Sequence, residues 1–210
     1  MGSSVSGERF EVPQSCRIVG AQYVAPSSPA EKPAPFVVAG AARVVPVNEL
    51  ARLGEAPSQY VVVGSGKTAT DACIWLLSRG VDPDAICWVR PREPWMMNRA
   101  VVQPDPAIFT RMAADTMQAG AESTTLEDLF LRLEDAGIML RIDRTVMPTT
   151  AKAPTLALWE LEQLRTLENV LRRGHLEAAD RGKLVFADGS VAVADDALVV
   201  HCAADASGNR

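Results

Sequence analysis

The stretch Tyr60-Val61-Val62-Val63-Gly64-Ser65-Gly66-Lys67-Thr68-Ala69 decides how the rest of the chain is read. A tyrosine and three valines in succession are the mark of a strand buried on both faces in a parallel sheet. Gly64-Ser65-Gly66 then turns the chain, and Lys67 to Arg79 has the pattern of a helix stopped by Gly80. Asp82-Pro83-Asp84 makes a turn, and Ala85 to Val89 is a second apolar strand. A strand, a helix and a strand within about 30 residues are the size of a βαβ crossover, whose connection is right-handed.

Two phosphate-binding patterns compete for the turn. Gly64-Ser65-Gly66-Lys67-Thr68-Ala69 fits G-x-G-x-x-A, the dinucleotide fingerprint with alanine in third place. In that pattern Gly64 makes the tight turn and Gly66 lets the backbone approach a pyrophosphate. Ala69 lets helix and strand pack closely. Ser65, Lys67 and Thr68 lie where the free amides and positive end of the helix would meet the phosphates. Gly66-Lys67-Thr68 also mimics the end of a P-loop, which implies a nucleoside triphosphate hydrolase using Lys67 and Thr68. A P-loop needs a glycine five residues before Gly66, and Val61 stands there. The turn is too short to wrap a triphosphate. Thr68 and Asp71 also match a T-x-x-D capping box, which needs no ligand.

The end of the second strand separates the dinucleotides. NAD and FAD sites carry an acid there to accept from the ribose hydroxyls. Here the strand runs Ile86-Cys87-Trp88-Val89-Arg90, followed by Pro91-Arg92. Arg90 and Arg92 are placed to pair with a 2′-phosphate, which predicts NADP(H). The competing reading pairs Arg90 or Arg92 with Glu93, or leaves them in solvent.

Outward from this unit, residues 1–58 read as a flanking β segment. Glu8 to Val12 and Arg17 to Val24 are two short strands. Pro26 to Pro35 is a loop, and Phe36 to Ala39 and Arg43 to Val47 are two more apolar runs. Asn48 is placed to cap a short helix, Glu49 to Leu53. On the other side, Pro91 to Pro106 reads as irregular. Ala107 to Ala119 and Leu126 to Ala136 read as helices, and Ile138 to Ile142 as a strand. Leu156 to Leu171 reads as an amphipathic helix with Leu158, Leu161, Leu164 and Leu167 on one face. Asp188-Gly189 between Lys183–Ala187 and Ser190–Ala194 signals a hairpin. Ala197 to Cys202 is a closing strand. The sum is a Rossmann-like α/β domain over residues 59–204 with three layers, a parallel sheet and an antiparallel β-meander. Residues 205–210 read as a disordered tail.

Composition excludes several classes. The 210 residues carry 21 Lys and Arg against 26 Asp and Glu, a net charge of −5, which argues against a nucleic-acid surface. No apolar run is long enough to span a membrane, and Met1 to Gly7 lacks the features of a secretory signal, so a cytoplasmic protein is expected. Cys16, Cys73, Cys87 and Cys202 form no C-x-x-C pair, and His175 and His201 have no ligand at metal spacing, so no metal is expected. Cys73 and Cys87 read as buried thiols. Trp95, Met96 and Met97 are either the lining of a nicotinamide edge or a loop anchored on the core. Arg99 reads as a surface arginine, and His201 as a buried structural residue.

Val61 to Ala69 with Asp71 resembles the second glycine motif of flavin-containing monooxygenase-like proteins. Trp88-Val89-Arg90-Pro91-Arg92 and Trp95 to Arg99 are similar to a bacterial branch of FAD/NAD(P)-dependent oxidoreductases. The resemblance covers roughly residues 8 to 204 and is most specific between Tyr60 and Pro104. It implies an NADPH domain inserted in an FAD domain, with hydride passing from nicotinamide to flavin. It places the pyrophosphate on Gly64, Ser65, Gly66, Lys67 and Thr68, and the 2′-phosphate on Arg90 and Arg92. No residue is assigned as catalytic. These 210 residues hold no second glycine fingerprint, so the chain reads as the NADP-binding middle of a larger flavoprotein, with FAD not bound by this chain alone. A flavin-binding partner or a homo-oligomer would then complete it. The alternative is a stand-alone NADP-binding or interaction module without turnover.

Overall fold

The computed structural model describes residues 33–202, together with Arg9 and residues 11–17. The expected strand Arg17–Val24 beyond Arg17, most of the proline-rich loop and the tail 205–210 lie outside the described residues. Residues 11–17 hold a turn closed by the Cys16 amide on the Pro13 carbonyl at 2.9 Å, so Glu8–Val12 does not run on as a strand through residues 11 and 12.

The protein is a mixed α/β structure built on a five-stranded parallel sheet. Its strands are β2 (Arg43–Pro46), β3 (Tyr60–Val63), β4 (Ile86–Val89), β8 (Val170–Leu171) and β12 (Leu198–His201), in the order β2-β12-β3-β4-β8. All four pairings are parallel. The helix α1 (Lys67–Ser78) connects β3 to β4, so the βαβ unit read from the sequence is present with its strands in register Tyr60 to Ile86. Every residue of β3, β4 and β12 is buried, as continuous apolar runs in a covered parallel sheet require.

Alternation of side chains divides the core between the two faces of this sheet. Tyr60, Val62, Ile86, Trp88, Leu198 and Val200 pack against α1 and α4 (Leu158–Leu164), with Ala72, Leu76, Leu161 and Leu164 among the contacts. Val61, Val63, Cys87, Val89 and Val199 face the other way, onto Leu176, Leu184 and Phe186. Those belong to a second sheet, ordered β1-β9-β10-β11, of β1 (Val37–Val38), β9 (Leu176–Asp180), β10 (Lys183–Phe186) and β11 (Gly189–Ala192). β9, β10 and β11 form an antiparallel meander; the hairpin between β10 and β11 is present, but its turn is Ala187-Asp188, one residue before the expected pair, because Gly189 pairs with Phe186 and opens β11. The boundary at residues 58 and 59 falls within the parallel sheet, because β2 pairs with β12 and β12 with β3.

A third sheet, β6-β5-β7, joins β5 (Pro94–Asn98), β6 (Met139–Leu140) and β7 (Thr150–Leu156). Two expectations are corrected here. Pro91–Pro106 is not irregular throughout: Pro94 opens β5, a position that tolerates a missing donor, and Trp95 and Met96 are buried in the strand. Leu156–Leu171 is not one helix. Leu156 ends β7, paired with Asn98, and Val170 and Leu171 pair with Trp88 and Val89. Only Leu158–Leu164 remains helical between two strands. The leucine spacing did identify the buried face, since Leu161, Leu164 and Leu167 are core residues, while Leu158 is exposed. The helices α2 (Pro106–Glu122) and α3 (Leu126–Asp135) pack on each other through Ala119, Leu129 and Leu133. Asp105 and Thr125 cap them, accepting from the amides of Ala107 and Asp128. Among the described residues no helix is long and apolar enough to cross a membrane.

Candidate functional site

The glycine turn lies at the carboxyl end of the parallel sheet, between the ends of β12 and β4. The Gly64 amide donates to the Val89 carbonyl at 3.0 Å, and the Cys202 amide donates to the Val63 carbonyl at 2.9 Å. The buried indole of Trp88 donates to the Gly64 carbonyl at 2.8 Å, fixing the turn from below. Gly64 has φ +140°, and a Cβ there would stand 3.3 Å from the carbonyl carbon of Cys202. The positive φ favours glycine, and the close contact adds to it, since the Cys202 backbone would have to give by a few tenths of an ångström. Gly66 differs. It precedes α1 with φ −93°, a conformation open to any residue, and a Cβ there would meet nothing within 4 Å. The slot over Gly66 is open.

Gly66 gives α1 no side-chain cap. The first helical amides therefore face outward without an intrahelical acceptor. The T-x-x-D capping box is not made, because α1 starts at Lys67 and places Thr68 inside the helix. Asp71 instead takes the Lys67 ammonium, whose Nζ also lies 3.6 Å from Glu160 Oε1. Ser65 and Thr68 are half-buried beside it.

Glu160, buried in the first turn of α4, gathers three donors: the Ala157 amide at 2.7 Å, Arg99 at 2.8 Å and Lys67. Burial pushes its carboxyl up, but the amide and the two cations outweigh it and hold the group below the usual glutamate range. Arg99, read from the sequence as a surface residue, is thus tied into the mouth of the turn, and it also donates to the Thr155 carbonyl at 3.3 Å. Sequence reasoning missed Glu160, which lies about 90 residues beyond the fingerprint.

The arginines after β4 part company. Arg90 is buried, its guanidinium 4.6 Å above the Trp88 ring and its Nη2 2.6 Å from Glu93 Oε1. The same carboxylate oxygen takes Arg172 Nε at 2.5 Å, and Arg172 reaches Asp143 Oδ2 at 2.6 Å. The pairing of Arg90 with Glu93 is therefore present. Arg92 is exposed in the turn between β4 and β5. Arg90 also lines a cavity of about 550 Å³ with Asp143, Arg144, Arg165, Glu168 and Arg172. Trp95 stacks on Phe130 at 5.3 Å and Met96 is fully buried, which places them in the core. His201 is buried at the end of β12, and Cys73 and Cys87 are buried thiols.

Asp143 adds a pH dependence. The Thr145 hydroxyl and amide donate to its Oδ1 at 2.6 and 2.9 Å, and together with Arg172 they hold its carboxyl below the usual range against the opposing effect of burial. A depressed value stabilises the fold fully above the unfolded value, about 3.9, and is lost as pH falls through the folded value. Stability measured by urea unfolding between pH 6 and pH 3 is expected to fall less steeply below pH 4 in Asp143→Asn than in the wild type. Equal slopes would show that Asp143 does not carry this dependence.

No family model matches the chain, and no solved structure matches it. It is similar to uncharacterized proteins of Mycobacterium bovis and Mycobacterium tuberculosis, each 39 % identical over 210 residues. The match takes in 99 % of this chain and 39 % of each relative, so the chain spans about two fifths of the length of the curated relatives it matches.

Proposed function

We propose that the chain is the NADP(H)-binding module, Rossmann-like in fold, of an FAD-dependent oxidoreductase of monooxygenase-like type. The carrying observation is the pair of unlike glycines. Gly64 is held where a side chain would strike Cys202, and Gly66 leaves an open slot before the uncapped start of α1. A pyrophosphate fits such a slot, with its oxygens on the outward amides of Gly66, Lys67 and Thr68. The turn sits at the carboxyl ends of parallel strands, where open α/β sheets bind ligands. A sheet covered by helices on one face and by a β-meander on the other accords with this reading. So does the greater length of the mycobacterial relatives, which leaves room for a flavin-binding part.

NADPH held there would supply a hydride for a flavin bound elsewhere in the complete protein. This chain's own residues bind and orient. Ser65 and Thr68 would flank the phosphates, and Lys67, which Asp71 and Glu160 hold in this structure, would be their third partner. Arg90 and Arg92 follow β4, where the adenosine ribose would lie, and supply positive charge for a 2′-phosphate. Calorimetric titration is expected to give NADPH binding at least about tenfold tighter than NADH, with the difference reduced in Arg90→Ala. Binding of neither nucleotide to folded protein would refute the reading. Equal binding of both would refute the 2′-phosphate assignment alone.

A further inference from the structure

The cavity beyond Arg90 is built from three separate parts of the chain. Arg90 follows β4, Asp143 and Arg144 follow β6, Arg165 and Glu168 lie between α4 and β8, and Arg172 directly follows β8. Four guanidinium groups and two carboxylates line it, on a chain whose net charge is −5.

The donors are unequally used. Arg172 is engaged twice, by Glu93 and by Asp143. Arg165 donates Nε and Nη2 to the carbonyls of Ile142 and Arg141, at 3.0 and 2.8 Å. Those acceptors are neutral, and among the described residues Arg165 has no carboxylate partner. Arg144 Nε stands 3.6 Å from Glu134 Oε1, too far for a hydrogen bond and leaving that buried oxygen unpartnered, while Oε2 of the same carboxylate holds Arg141 at 2.5 Å. Burial and the neighbouring Arg144 push Arg165 down, against the opposing pull of Glu134, Glu162 and Asp143. Arg90, with 1 % of its side chain exposed, has an Nε with no hydrogen-bond partner. A buried donor without a partner is costly. Arg144 and Arg165, neither within hydrogen-bond distance of a carboxylate among the described residues, line one cavity with Arg90, whose buried Nε is unsatisfied, and such a lining suits an anion.

We propose that this cavity binds a phosphomonoester dianion, with Arg144 and Arg165 as the residues that hold it at the rim and Arg90 as its cationic floor. Arginine suits the task because its planar fork meets phosphate oxygens in pairs. Asp143 is occupied by Arg172 and Thr145. Glu168 remains as an acceptor for hydroxyl donors next to the phosphate, which favours a phosphorylated sugar over bare phosphate. The proposal does not depend on a dinucleotide occupying the glycine turn. The dianion can come from a nucleotide 2′-phosphate or from an independent sugar phosphate.

The test is thermal unfolding of the full chain at low ionic strength, with inorganic phosphate, 2′-AMP or 5′-AMP added against sodium chloride of equal ionic strength. A ligand that binds only the folded state raises the midpoint. Wild type is expected to be stabilised by phosphate and more strongly by at least one nucleotide. Arg144→Gln, at a mostly exposed position, is expected to fold with unchanged or slightly higher stability, because it relieves the repulsion, yet to lose about tenfold or more in ligand affinity. A residue of merely structural importance would lower the unliganded midpoint instead. A preference for 2′-AMP identifies the dinucleotide as the source, and equal response to 5′-AMP identifies a separate phosphate ligand. No stabilisation of wild type by any of the three, or equal stabilisation of wild type and Arg144→Gln, overturns the proposal. Lys67→Ala is expected to keep the phosphate response while losing dinucleotide affinity, so failure at the glycine turn and failure at the cavity are separately visible.

Discussion

Glu93→Ala is expected to destabilise the folded chain by about 3–5 kcal/mol, the range for removing one partner of a buried ion pair. One oxygen of Glu93 holds both Arg90 and Arg172, and its side chain is 7 % exposed against 1 % for Arg90. Without it, Arg90 keeps a full charge below the surface with its Nε already unpartnered. The cost lies in that stranded charge rather than in the intrinsic strength of the bridge. It follows that the double substitution Arg90→Met with Glu93→Ala should be less harmful than Glu93→Ala alone. Removing Arg172, which is one-third exposed, should cost less than either. Urea unfolding of wild type, Arg90→Met, Glu93→Ala and the double variant measures the coupling as a cycle, with the Arg172 variant measured alongside. A Glu93→Ala protein within about 1 kcal/mol of wild type would mean that Arg90 finds solvent or another anion when its partner is gone.

The second large effect separates the two glycines of the turn. Gly64→Ala is expected to cost about 3 kcal/mol, most of it from holding a side chain at φ +140°. The rest comes from the new Cβ pressing on the Cys202 backbone, which is fixed by its own bond to Val63. Gly66→Ala meets no atom and no backbone strain, so it should leave stability unchanged or raise it by up to about 1 kcal/mol through the unfolded state. On the dinucleotide reading, Gly66→Ala nonetheless fills the slot meant for a pyrophosphate and should weaken NADPH binding at least about tenfold. The urea midpoint reports the first residue and the titration reports the second. A Gly64→Ala protein as stable as wild type would show that the turn relaxes. Undiminished NADPH affinity in Gly66→Ala would move the ligand elsewhere.

What could be read from the sequence was what neighbours in sequence determine. β3, the turn, α1 and β4 declare themselves because each carries its own local signal and the four are consecutive. The hairpin of β10 and β11 is equally local. β7 and β8 were hidden because the leucine spacing of Leu158 to Leu167 is helical, and only pairing with β5 and β4 draws the flanks into strands. β9, Leu176-Glu177-Ala178-Ala179-Asp180, has little strand propensity and is held by β1 and β10 on either side. The candidate site divides in the same way. The glycines and Arg90 follow a recognisable motif. Glu160 and the Arg144–Arg165 pair come from remote segments, and nothing in their local sequence distinguishes them from solvated charges.

The strand order β2-β12-β3 has a consequence for biosynthesis. β12, residues 198–201, inserts between two strands made about 140 residues and more before it. Until it emerges, one edge of β3 has no partner and β2 has no neighbour in the sheet at all, and the apolar valines of β3 have no neighbour on that side. Such pairing is slow because a long loop must close first, and unpaired edges invite association with other chains. A nascent chain halted before residue 198 should therefore remain protease-sensitive and chaperone-bound even though its βαβ unit is complete. Release of Leu198–His201 from the ribosome is the event that turns a set of paired elements into a folded protein.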